Sequence, residues 1–170
     1  MAANSDSGIN LKIISFNMRG FYQGRPVIED VITEENPDVL LLQEHWLTPD
    51  NLYLFDKYFS GYFSFGCSAM SGVLETGMLR GRPYGGVIIL VKSNFRVKTK
   101  TIFCSDRYAV IQFGDSLIIN VYLPCVGQFV CDEVLAEIYS WCDRYGDCKL
   151  IVAGDLNVNL DSSDIIAQYC

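Results

Sequence analysis

Asp38–Trp46, DVLLLQEHW, is the stretch from which the fold is read. Asp38–Gln43 (DVLLLQ) reads as a continuous apolar run of strand length, which suits a buried strand. It stops abruptly at Gln43-Glu44-His45. Three other segments have the same form. Leu11–Asn17 (LKIISFN) ends in Ser15 and Asn17, with Gly20 close behind. Ser116–Leu123 carries Asn120 and Tyr122 and runs into Pro124. Lys149–Ala153 (KLIVA) leads into Gly154, Asp155 and Asn157. Ligands of open α/β sheets sit beyond the carboxyl ends of the strands, so these ends are the candidate site.

The segments between fill in an alternating order. Pro26 suits the first turn of a helix running to about Asn36. Thr48-Pro49 reads as an N-cap with proline at the first helical position, opening a helix to about Phe59. Tyr62–Phe65 is a short strand, and Cys67–Pro83 is a loop rich in Gly and Ser. Gly86–Lys92, Phe95–Cys104, Tyr108–Phe113 and Ser116–Leu123 follow as four strands, with Ser93-Asn94 and Asp115-Ser116 as turns. Phe129–Tyr145 has helical spacing through Val130, Val134, Ile138, Trp141 and Cys142. Helices between strands, with antiparallel pairs in the middle, predict an α/β or α+β layered sandwich.

The chain has 170 residues, of which 50% are hydrophobic and 19% charged, enough apolar material for one core and too much for a disordered chain. The domain is expected over 10–170, after a flexible polar terminus at 1–9. No apolar run approaches the ~20 residues of a membrane span, and MAANSDSG has no basic or apolar signal region. The seven cysteines include no C-x-x-C pair and His45 is the only histidine, which argues against a closed zinc site. Free thiols in a reducing compartment are the expectation.

Thirteen basic residues against twenty acidic give a net charge of −7, which as a total argues against nucleic acid. The average hides a contrast. Residues 80–107 hold Arg80, Arg82, Lys92, Arg96, Lys98, Lys100 and Arg107 against the single acid Asp106, a net +6 that leaves −13 elsewhere. Such a strip can meet phosphates, or can be a solvated hairpin face that deters edge pairing.

Taken singly, each strand-end residue also fits an ordinary role, and Asp155 with Asn157 fits an Asx-turn. Taken together, two carboxylates and two amides can converge on one hard cation. Mg2+ is typically held by one or two carboxylates plus water and substrate phosphate. A tyrosine hydroxyl and an amide can then hydrogen-bond phosphate oxygens.

SFNMRG, LLQEHW, NVYLP and GDLN, in this order, resemble the motifs of the endonuclease/exonuclease/phosphatase superfamily. SFNMRGF, QEHWLTP, GRPYGGV, DRYAV and NVYLPCVG are most similar to the endonuclease domain of LINE-type (non-LTR) retrotransposons. The resemblance covers about Lys12 to Asn157. It implies a four-layered sandwich of two mixed β-sheets flanked by helices, and Mg2+-dependent (or Mn2+-dependent) nicking of DNA. It implies Glu44 as metal ligand and Asn17 in the metal and phosphate shell. Tyr122 would contact the scissile phosphate, Asp155 would orient or deprotonate water, and Asn157 would position Asp155 and the phosphate. Arg80, Arg82, Lys98, Lys100 and Arg107 would meet nucleic acid. A reverse transcriptase domain as partner and a nuclear location would follow.

The chain departs from the pattern in two places. The superfamily closes its site with a C-terminal Asp-His pair, and no histidine follows His45. Cys125 stands where apurinic-type enzymes carry Asn. A truncated domain lacking C-terminal strands is therefore expected. Two other readings stay open: a catalytically inert remnant, and a sister phosphatase or phosphodiesterase acting on lipid or inositol phosphates.

Overall fold

A computed structural model describes residues 10–72, 77, 81–124 and 128–157. In chain order the elements are β1 (Ile13–Asn17), α1 (Phe21–Glu35), β2 (Val39–Gln43), a 3₁₀ turn (Pro49–Asn51), α2 (Tyr53–Tyr58), β3 (Tyr62–Cys67) and β4 (Val87–Lys92). A second 3₁₀ segment (Ser93–Lys98) leads to β5 (Thr99–Cys104), β6 (Tyr108–Phe113), β7 (Ser116–Tyr122), α3 (Gln128–Arg144) and β8 (Lys149–Asp155).

Two four-stranded mixed sheets stack face to face, with orders β1-β2-β4-β3 and β5-β6-β7-β8. The expected α/β sandwich is thus observed. In each sheet the parallel pair, β1 with β2 and β7 with β8, is joined through a helix, the connection that parallel strands require. β1 lies across from β8 and β2 across from β7.

β2 shows why its sequence is unbroken. Leu40 and Leu42 pack with Phe21, Ile28 and Phe55 under the helices. Val39 and Leu41 pack against Ile111 and Ile118 of the facing sheet. Both faces are dry, so alternation disappears. On the far side of the second sheet, Val110, Ile119 and Val121 meet Val134 and Ile138 of α3. Among the described residues no helix is long and apolar enough to cross a membrane.

Several sequence expectations need correction. α1 begins at Phe21, so Pro26 lies inside it rather than at its start. The start is set earlier because Met18 and Gly20 N–H groups pair with the carbonyls of Gln43 and Glu44, and Gly20 O accepts the first helical bond from Gly24. The helix expected from Thr48 is a 3₁₀ turn followed by the short α2. The strand expected from Phe95 starts only at Thr99. β4 and β5 belong to different sheets, so the chain must step across the sandwich, and Ser93–Lys98 coils to do it.

The free-thiol expectation also fails at one pair. Cys67 ends β3, Cys104 ends β5, and the two are bonded. Those strands are the stacked edges of the two sheets, a proximity that no spacing rule reveals across 37 residues. Cys131, Cys142 and Cys148 are free thiols, whereas Cys125 and Cys170 lie outside the described residues.

Closing a loop of 37 residues restricts the unfolded chain by about 3–4 kcal/mol in the chain-entropy account. Thiol reduction, or Cys104→Ser, should therefore lower unfolding stability by about 2–4 kcal/mol. Urea titration with and without reductant checks this, and an unchanged midpoint would contradict it.

Candidate active site

The layer between the sheets changes character along the strands. Side chains alternate, so Ile13, Ser15 and Asn17 of β1 share one face, as do Val39, Leu41 and Gln43 of β2. Ile118, Asn120 and Tyr122 of β7 line up with Ile151, Ala153 and Asp155 of β8 on the facing sheet. The layer is thus aliphatic at one end, amide-bearing in the middle, and carries Asn17, Asp155 and Tyr122 at the carboxyl rim.

Gln43 and Asn120 form the middle layer, 1% and 0% exposed. Gln43 Nε2 donates to Asn120 Oδ1 at 2.6 Å and to its own strand at Leu41 O, 2.9 Å. Asn120 Nδ2 donates across the sandwich to Leu42 O at 3.0 Å and Ile88 O at 2.9 Å. Every polar atom of the Asn120 amide is therefore paired, which removes the penalty for its burial.

At the rim, Asn17 Nδ2 donates to Asp155 Oδ2 at 2.6 Å, joining β1 to β8 across the sandwich. Asn17 Oδ1 accepts from the Arg19 N–H at 3.0 Å. The Asn157 N–H lies 3.3 Å from Asp155 Oδ1, and Asn157 Nδ2 donates to Leu123 O at 2.6 Å. Both oxygens of Asp155 are thus held by donors. Gly154 permits the approach, since a Cβ there would lie 1.9 Å from Val121 O. The Tyr122 N–H donates to Arg107 O at 2.7 Å, and the Arg107 guanidinium lies 5.8 Å from the centre of the Tyr122 ring.

Glu44 follows β2 at φ +57°, and Trp46 takes φ +55°. Trp46 Nε1 donates to Glu44 Oε2 at 2.5 Å. Between them His45 turns inward and is fully buried. Its Nδ1 accepts from the Leu47 N–H at 3.0 Å, so its Nε2 carries the proton donated to Cys67 O, also at 3.0 Å. Burial pushes the imidazole down to about 4, with the Cys67 contact opposing weakly. His45 is thus a neutral structural group. Arg19, Glu44, Trp46 and Asn157 all have positive φ without being glycine, and such backbone strain concentrates at functional sites.

Glu44 and Asp155 are half-buried carboxylates, and among the described residues neither has a Lys or Arg within ion-pair distance. Asp155 lies against Asn17 at the rim, and Glu44, one residue past Asn17's register partner Gln43, offers a second unneutralised carboxylate on the neighbouring strand end. This fits a divalent cation completed by water and phosphate rather than a metal caged by protein alone. Among the described residues no cluster of three or more His, Cys, Asp or Glu occurs.

The basic segment divides. Arg107 stands beside Tyr122, and exposed Arg82 lines a cavity of about 330 Å³ with Tyr22, Trp46 and Asn51. Lys98 and Lys100 lie at the opposite end of the sandwich, where Lys98 O accepts from the Gly114 N–H in the β6–β7 turn. Arg80 lies outside the described residues. Gln43, Asn120 and Trp46 are the participants to which sequence reasoning assigned no role. Polar residues inside apolar strands were the visible signal for the first two, while Trp46 gave none beyond its nearness to Glu44.

The Endonuclease/Exonuclease/phosphatase family profile matches residues 14–168, and the chain belongs to that family. A DNA-(apurinic or apyrimidinic site) endonuclease of Dictyostelium discoideum is 28% identical over 161 residues, covering 87% of this chain and 42% of that protein. The 3′ phosphatase NExo from Neisseria, bound to a product DNA hairpin, superposes with a TM-score of 0.64 at 19% identity, covering 91% of this chain and 61% of its own. The endonuclease domain of TRAS1, a telomere-specific non-LTR retrotransposon, gives a TM-score of 0.59 at 13% identity, with coverages of 88% and 60%. The chain thus spans about two fifths of the first relative and about three fifths of these structures.

The amide layer yields a direct expectation. Asn120→Ala removes the bond to the Gln43 amide and the two donated to the Leu42 and Ile88 carbonyls, and should cost about 1–3 kcal/mol. Denaturant titration reads the loss. A change below about 0.5 kcal/mol, the level of an ordinary surface substitution, would show that the pair is not structural.

Proposed function

We propose that this chain is a DNA endonuclease domain of the retrotransposon type, cleaving one strand by Mg2+-dependent phosphodiester hydrolysis, with Mn2+ as a substitute. The observation that carries the reading is the Asn17–Asp155–Asn157 array. It leaves one carboxylate oriented from both oxygens at the mouth of the sandwich. A general base needs that geometry before any question of basicity.

Glu44 would hold the cation, with the Asn17 Oδ1 within the same shell. When bound, the cation stabilises negative charge on the phosphate and the leaving oxygen. The chain's own residues do the remainder. Asp155 aligns a water for in-line attack and accepts its proton. Asn17 and Asn157 keep that carboxylate from rotating. The Tyr122 hydroxyl donates to a non-bridging phosphate oxygen, and Arg107 adds positive charge behind the ring. The cavity beside Trp46, walled by Tyr22 and Arg82, suits a nucleobase of the cleaved strand. Aromatic rings hold bases without regard to sequence. On this reading the domain works beside a reverse transcriptase on nuclear DNA.

Conversion of supercoiled plasmid to open circle is the test. Nicking is expected with Mg2+ or Mn2+ and is expected to vanish with chelator. Asp155→Asn should lower the rate by about 10²–10⁴ without unfolding the chain. Absence of nicking with either ion, or chelator-sensitive release of phosphate from inositol phosphates in its place, would overturn the reading.

The base cavity gives a separable expectation. Tyr22→Ala with Arg82→Ala should raise KM for a DNA substrate several-fold and leave kcat near its original value, as expected for contacts made equally in ground and transition states. Steady-state kinetics on a short fluorescent duplex distinguishes the two parameters. A loss confined to kcat would remove the cavity from substrate binding.

A further inference from the structure

We infer that Trp46 is the positioning residue for the Glu44 carboxylate, seated by Gly20 and acting through its indole N–H. The inference rests on the metal-dependent reading above and adds a residue to it.

The geometry is built from both sides. The Glu44 N–H donates to Gly86 O at 2.9 Å, its carbonyl accepts from the Gly20 N–H at 2.8 Å, and the Trp46 N–H donates to Gly85 O at 3.0 Å. The backbone of the turn is thus pinned between the start of α1 and the approach to β4. His45, between the two, is anchored inward by bonds at both ring nitrogens. Glu44 and Trp46 are left as neighbours two residues apart, an arrangement that their shared positive φ makes possible.

The indole has little freedom. A Cβ on Gly20 would lie 2.8 Å from Trp46 Cε3 and 3.2 Å from Cζ3, so the six-membered ring rests directly on the Gly20 backbone. Gly20 itself holds φ +103°, a conformation that side chains resist. With the ring seated, its single donor points at Glu44 Oε2. Indole nitrogen can only donate, so this bond cannot be exchanged for one in which it accepts. One carboxylate oxygen is thereby oriented, and Oε1 is left for a cation. A second group that fixes a ligand's direction is commonly worth 10–100-fold in metal affinity. The inference separates the hydrogen bond from the packing, because a phenylalanine can keep a ring on Gly20 while donating nothing.

The experiment is a calorimetric titration of the full chain with Mn2+ and with Mg2+. Wild type, Glu44→Gln, Trp46→Phe and Gly20→Ala are compared, each checked for folding by near-ultraviolet circular dichroism. Binding by the wild type, its loss in Glu44→Gln, and an affinity about 10–100-fold weaker in Trp46→Phe are expected. Gly20→Ala, which displaces the ring but leaves the indole present, should weaken binding similarly. It decides the matter if Trp46→Phe does not fold. In a Trp141→Phe background, where Trp46 is the remaining indole, Mn2+ should quench the emission and the quenching should disappear in Glu44→Gln. Wild-type affinity in folded Trp46→Phe, or in Gly20→Ala where Trp46→Phe does not fold, overturns the positioning role and leaves the metal site standing. Absence of binding by the wild type overturns the metal site and the role together.

Discussion

Gln43 and Asn120 meet at 2.6 Å between sheets packed largely through hydrocarbon, and the site depends on that contact. Two sheets packed through Val, Ile and Leu side chains can slide with little penalty, because dispersion contacts are numerous and non-directional. An amide pair cannot slide. If β7 shifted along β2, the Asn120 amide would be left buried without its partners and Gln43 would lose its bond across the sandwich. The residues just beyond the pair are Glu44 on one strand and Tyr122 on the other, so the register of the amides becomes the register of the site. The same logic runs one step further out, where Asn17 and Asp155 join β1 and β8.

Polarity across the sandwich is therefore graded along the strand direction. The dry end supplies cohesion, the amide layer supplies register, and the rim supplies charge. Among the described residues Glu44 and Asp155 have no Lys or Arg partner, which they tolerate because the rim is half open and donors hold their oxygens. Basic residues gather elsewhere for separate reasons. Lys98 and Lys100 flank an edge strand, where charge discourages pairing with another sheet. Arg107 is held near Tyr122 by the short turn that joins β5 to β6. The disulfide closes the sandwich at its other edge, linking β3 to β5 where the amides do not reach.

Much of this was legible beforehand. Apolar runs such as Asp38–Gln43 and Lys149–Ala153 revealed buried strands, because a strand dry on both faces has no polar alternation to disguise it. The polar residues that ended those runs marked the rim, since a polar group inside a dry strand needs a partner. The ordered motifs then tied the rim to one superfamily. The misread boundaries have a common cause. Pro26, Thr48 and Phe95 carry local signals for an element start, and in each case a backbone bond or sheet change elsewhere set the boundary instead.

Composition, strand periodicity and the identity of the strand-end residues were properties of the chain read linearly, and they sufficed for the layered fold and for naming Asn17, Glu44, Tyr122, Asp155 and Asn157 as candidates. Pairings between distant segments were not available that way. The bond from Asn17 to Asp155, the Cys67–Cys104 link, the inward turn of His45 and the seating of Trp46 on Gly20 each depend on strand order, on which sheet faces which, or on a left-handed turn. Apolar burial is additive and non-directional, so sequence pattern reports it well. Hydrogen bonds and close packing are directional and short-ranged, so only the folded arrangement decides which of them are made.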